Sequence, residues 1–96
     1  MVGEPEEVDV WWLDWNDEVV AHIGRHQVTR EDVEYVLVHS PRFFQNLPGH
    51  SATHVMVGKD ETGRVLYVPI LFAEEPGIWR VISAWESRFA RRLLED

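Results

Sequence analysis

The chain has 96 residues, 45% of them apolar, with eleven Phe, Trp and Tyr and no cysteine. That is enough for one domain with one modest core, and it excludes disulfides and thiolate metal sites. Seventeen acidic residues against nine Lys and Arg give a formal net charge of −8, the opposite of the balance expected of a dedicated polyanion binder.

Residues 1–7 carry acid, Gly and Pro without an apolar pattern and are expected to form a flexible acidic tail, leaving 8–96 as a single domain. The same N-terminus lacks the basic and apolar regions of a signal peptide, and no apolar run reaches the length of a membrane span. A cytoplasmic protein with no membrane partner is expected. "VDVWWLDW" (8–15) alternates loosely and predicts a strand. Asn16 is a good helix cap, with Asp17 and Glu18 in the first turn, where the helix dipole favours acids. That helix is expected to run to about His26, with Val19, His22, Ile23 and His26 as its inward stripe.

Thr29 opens a second helix, with Val33, Val36 and Leu37 facing inward and Pro41 as its stop. Four strands should follow. "RFFQNL" is the first; "THVMVGKDETGRVLYVPILF" makes a hairpin around "KDETG", where Gly63 suits a positive φ; "IWRVISAW" comes after the turn "EEPG". "ESRFARRLLED" predicts a short C-terminal helix. The fold class expected is α+β: two N-terminal helices packed on a mainly antiparallel sheet, closed by that short helix.

The charges are uneven. Acid dominates residues 4–18 and 31–34, whereas cations gather in "GRHQVTR", at Arg64, at Arg80 and in "RFARR". His26 suits acid–base work because the unperturbed imidazole is the side chain that changes charge near neutrality, and a histidine at a helix C-terminus is also favoured by the dipole alone. His22 reads as a structural, core-side histidine. "HIGRH" and "HSATH" both space two histidines four apart, but the second pair runs into a strand, where i and i+4 lie about 13 Å apart, and neither pair has the acid a zinc motif needs. No metal and no other cofactor is expected.

The strings "WLDWNDEVVAHIGRHQVTREDVEYVL", "GKDETGRVLYVPILF" and "WRVISAWESRFARR", in this order, resemble the BrnT-like toxins of bacterial type II toxin–antitoxin systems, in the wider RelE/ParE superfamily. The likeness covers roughly residues 8–92. It implies a RelE-like fold of the BrnT type and a cytoplasmic, metal-independent endoribonuclease, in which a ribose 2′-hydroxyl attacks the neighbouring phosphorus with His and Arg as acid–base and charge-stabilising groups. It also implies an antitoxin partner of the ribbon-helix-helix type, an RNA substrate, and a homodimer or a hetero-oligomer with the antitoxin. Arg25 and His26 match the family's basic–His pair, Arg64 its hairpin Gly-Arg, and Arg80 its last strand. Arg88, Arg91 and Arg92 are the expected RNA contacts.

The chain departs from the pattern at Gln27, where relatives usually have Gly, and at Trp85, where they commonly have Arg. The alternative reading is therefore a catalytically weak or inactive module that only pairs with an antitoxin-like, DNA-binding partner. The site expected on the first reading has Arg25 and His26, aimed from the end of the first helix, converging with Arg64 and Arg80 on one phosphate.

Overall fold

In the computed structural model, which describes residues 2–95, the chain is dominated by one seven-stranded sheet and is only 23% helical. The elements are β1 (Val2–Pro5), β2 (Trp12–Asp14), α1 (Asp17–Gly24), α2 (Arg30–Leu37), β3 (Arg42–Asn46), β4 (His54–Lys59), β5 (Val65–Phe72), β6 (Ile78–Val81), β7 (Trp85–Glu86) and a 3-10 helix, Phe89–Leu94. The expected fold class is overturned. Two strands precede the helices, so the helices are not N-terminal, and sheet rather than a helical layer makes up most of the fold. The stretch expected as a loose tail contributes β1, which pairs antiparallel with β3. The strand expected over 8–15 shrinks to three residues, and the C-terminal helix is a tight 3-10 turn.

The sheet order is β1-β3-β4-β5-β6-β2, with β7 also on β5. Every pairing is antiparallel except β2 on β6. The central hairpin follows from β4 and β5 being apolar on both faces, the pattern of a sheet covered on both sides. On one face Met56, Leu66, Val68, Ile70 and Val81 pack with Ile23, Val28, Val33 and Val36 from the helical segment. On the other, Phe44, Val55, Val57 and Val65 pack with Ala90, Leu93 and Leu94 around the 3-10 helix. Each such fully buried side chain contributes about 1.5–3 kcal/mol.

Two local details set the site. Asn16 caps α1 by accepting from Val19 N, and Thr29 and Asp32 form a reciprocal capping box at α2. Between these helices Gln27 takes a left-handed φ of 62°, and Val28 N donates back to Ile23 O. That backbone conformation usually falls to glycine at a helix end. It stops α1 two residues before His26, so the histidines are not core-facing; His22 and His26 are both exposed, and Ile23 alone on α1 is buried. The second detail is in the last strand. Val81 pairs with Ile70, and Trp85 with Tyr67, so four residues on one side oppose three on the other. This extra residue is a bulge. It turns Trp85 to the side of Tyr67, away from the face that Val81 occupies.

Candidate functional site

Arg64 follows the turn glycine Gly63 (φ 90°) and is bound on all three guanidinium nitrogens. Nε donates to Asp60 Oδ2 at 2.7 Å, Nη1 to the carbonyl of Gln27 at 2.9 Å, and Nη2 to Asp32 Oδ2 at 3.2 Å. Asp60 is 3% exposed, and its other oxygen accepts from Thr62 N, Thr62 Oγ1 and Arg64 N. Burial pushes the Asp60 carboxyl up, but the hydrogen bonds from Arg64 and Thr62 outweigh it and hold the group below its ordinary value. Arg64 is thus a clamp that ties the β4–β5 turn to the junction of α1 and α2, with its charge matched by two carboxylates.

Arg80 lies opposite Asp14 across the β2–β6 pair and sits 3.4 Å from it, both side chains half exposed. Arg64 precedes β5 at one end, and Arg80 pairs with Leu71 near the other. Seven residues at strand rise separate their backbones by about 23 Å. The expected convergence of Arg25, His26, Arg64 and Arg80 on one phosphate is therefore not what the fold builds. Arg25 is the C-cap of α1 and exposed, with no ion pair among the described residues. Arg88, Arg91 and Arg92 are exposed along the 3-10 helix, which Arg42 pins by donating to Leu93 O at 2.9 Å.

A different constellation is assembled. The His22 and His26 rings meet edge to face with centroids 5.2 Å apart. His22 Nε2 is 3.1 Å from Ser83 Oγ. His26 lies 6.3 Å from the Trp85 ring, which in turn lies 5.0 Å from Tyr67. Burial raises the Tyr67 hydroxyl pKa, so it stays protonated. Ser83, Trp85 and Tyr67 also line a groove of about 570 Å³ between the sheet and Phe89 of the 3-10 helix. The paired imidazoles therefore stand at one rim of an aromatic groove. The sequence reads His22 as a structural histidine, whereas here it stands exposed against Ser83. The signal for His22 was its i, i+4 spacing to His26 on one helix edge; nothing local in the sequence announces Ser83, because the bulge that presents it depends on β5.

No protein-family model, no curated protein and no solved structure matches this chain. No helix among the described residues is long and apolar enough to cross a membrane.

Proposed function

We propose that the chain is the toxin-type component of a toxin–antitoxin pair, a metal-independent endoribonuclease whose acid–base groups are His26 and His22. The observation that carries this reading is the His22–His26–Ser83 cluster beside exposed aromatic surface. Two adjacent imidazoles can divide the work of 2′-hydroxyl attack, one neutral and one charged. His26, whose ring nitrogens have no hydrogen-bond partner among the described residues, takes the 2′-hydroxyl proton as the 2′-oxygen bonds to phosphorus. His22 is the acid. Ser83 Oγ, 3.1 Å from its Nε2, orients the ring, and its Nδ1–H gives a proton to the departing 5′-oxygen as the P–O5′ bond breaks. The products are a 2′,3′-cyclic phosphate and a 5′-hydroxyl. Arg25, beside His26 in the chain, supplies charge stabilisation.

A partner fits the same reading. Trp11 and Trp12 are 67% and 69% exposed beside the free edge of β2, a surface that an antitoxin of ribbon-helix-helix type would cover. The test is induced expression in bacteria with growth and RNA integrity read together, and incubation of the purified chain with RNA in a metal chelator. Cleavage leaving cyclic-phosphate ends is expected, lowered about a hundredfold or more by His26→Ala and by His22→Ala.

A second reading, the catalytically inactive partner-binding module, is favoured by the neutralised Arg64 and Arg80 and by the net charge of −8. It prevails if the parent neither cleaves RNA nor slows growth yet binds an antitoxin encoded beside it.

A further inference from the structure

We infer that the groove between β5, the bulge and the 3-10 helix is a subsite for one unpaired nucleobase of a single RNA strand. The inference rests on the ribonuclease reading for its setting, and it names the substrate form that the site takes.

The walls carry the first part of the case. Tyr67 and Trp85 form a tilted aromatic pair on one side, with ring planes 31° apart. Phe89 stands at the rim, 72% exposed. An exposed phenylalanine beside an aromatic pair offers a planar ring two faces to stack on, and base–aromatic stacking is tolerant of base identity. The groove's volume, about 570 Å³, lies within the range of small-molecule sites, roughly 300–1,000 Å³.

The polar groups carry the second part. His50 and Ser51 line the groove with no hydrogen-bond partner for their side chains among the described residues, so they are available to a base edge. Among the described residues, no Lys, Arg, Asp or Glu lines it. An uncharged, aromatic slot suits the base and not the phosphate. The cations stand outside: Arg88 is exposed next to Phe89 in the chain, and Arg25 follows α1. The third part is continuity. Ser83 belongs to the groove wall and also contacts His22, and Trp85 belongs to the wall and approaches His26. A base seated in the groove therefore brings its own sugar, or its neighbour's, toward the two imidazoles. In a duplex the base faces are stacked and closed, so the site selects unpaired strands.

The experiment uses the full chain and a fluorescent 2′-O-methyl RNA nonamer, which cannot be cleaved, with its duplex as comparison. Parent protein should bind the single strand at least tenfold more tightly than the duplex. Phe89→Ala should weaken single-strand binding roughly tenfold, the size of losing one stacked base, while Phe89→Tyr retains it. Replacing the nonamer's bases by abasic sites should abolish the difference between parent and Phe89→Ala.

No single-strand binding, equal binding of duplex, binding unchanged by Phe89→Ala, or capture of a peptide in place of RNA would overturn the inference. Parallel digestion of ordinary RNA separates the two claims. Phe89-dependent binding without cleavage keeps the subsite and removes the ribonuclease; cleavage with Phe89→Ala indistinguishable from parent does the reverse.

Discussion

Arg64→Met is expected to unfold the protein more readily before it does anything to a reaction. The substitution keeps much of the stem and removes the charged fork. Asp60, with a side chain only 1% exposed, then loses its counter-ion, and the Gln27 carbonyl and Asp32 lose a donor each. Stripping one partner from a buried ion pair costs about 3–5 kcal/mol when the survivor is left uncompensated. Here Asp60 keeps three hydrogen bonds from the Thr62 and Arg64 backbone and the Thr62 hydroxyl, and the Arg64 side chain is 25% exposed. Both features move the loss down, to about 2–3 kcal/mol. For a domain of this size that is a fall in Tm of about 10–20 °C. Urea and thermal unfolding measure it, with Asp60→Asn and the double variant completing a cycle. The double variant should recover part of the loss, because it removes the stranded charge. A stability change within ~0.5 kcal/mol, accompanied by a large drop in RNA cleavage, would refute this and return Arg64 to the reacting phosphate.

Three further outcomes are expected. Gln27→Gly should stabilise the chain by up to about 1 kcal/mol in chemical unfolding, since φ 62° there strains a side-chain-bearing residue; a loss would mean that the Gln27 side chain is needed. Gly58→Ala should destabilise by about 1–3 kcal/mol, because an added Cβ would stand 2.7 Å from Val36 Cγ1 where α2 packs on β4, and Val36→Ala in the same chain should relieve that clash. Acid should unfold the parent. Asp60 and Glu6 are both held below their ordinary values, Glu6 by hydrogen bonds from Gln45 and His54, so their contribution is complete above the ordinary carboxylate range and is lost as pH falls through the lowered folded values. Asp60→Asn should be less stable at pH 7 but show a shallower acid limb; an unchanged limb would rule out Asp60 as its source.

Elements fixed by local chemistry were legible in the sequence. The Asn16 and Thr29 caps, the positive φ of Gly63 and the β4–β5 hairpin need only neighbouring residues to be read. What escaped depends on partners distant in the chain. Val2–Pro5 has no apolar pattern of its own and becomes a strand only because β3 offers an edge. Five of the eight residues of "VDVWWLDW" are left out of the sheet because the parallel pairing with β6 reaches only Trp12–Asp14. Arg64 looks like a solvated turn cation until Asp32, in α2, is brought beside it. The two histidines were expected on the inward stripe of a helix running to His26; they do meet, but His26 lies past the end of α1. Both lie outside the core, and the left-handed bend of a glutamine that ends the turn early has no signature in the sequence.

The net charge poses the sharpest objection to an RNA-directed role, and the placement of the charges answers it. Residues 4–18 hold seven acids with no Lys, Arg or His. Of these, Asp14 lies on β2 beside β6, at the end of β5 far from Arg64; Glu4 lies on β1, Glu6 is engaged by Gln45 and His54, and Asp17 and Glu18 open α1, where the helix N-terminus offsets their charge. The groove and the two imidazoles gather around Tyr67 and Trp85, nearer the other end of β5. The run from Tyr67 to Leu71, opposite Arg80, is about 13 Å at strand rise. That exceeds the screening length of about 8 Å at physiological salt, so repulsion from exposed acids at the β2 edge is much reduced at the groove. What remains near the groove is the exposed pair Glu86 and Arg88, flanking Ser87 in the chain, and a wall of aromatic rings. Affinity built this way depends on base stacking more than on phosphate neutralisation. Under the proposed reading, an acidic molecule of this kind would hold a short unpaired stretch and have little hold on duplex RNA, whose bases are closed to the rings and whose phosphates meet too few cations.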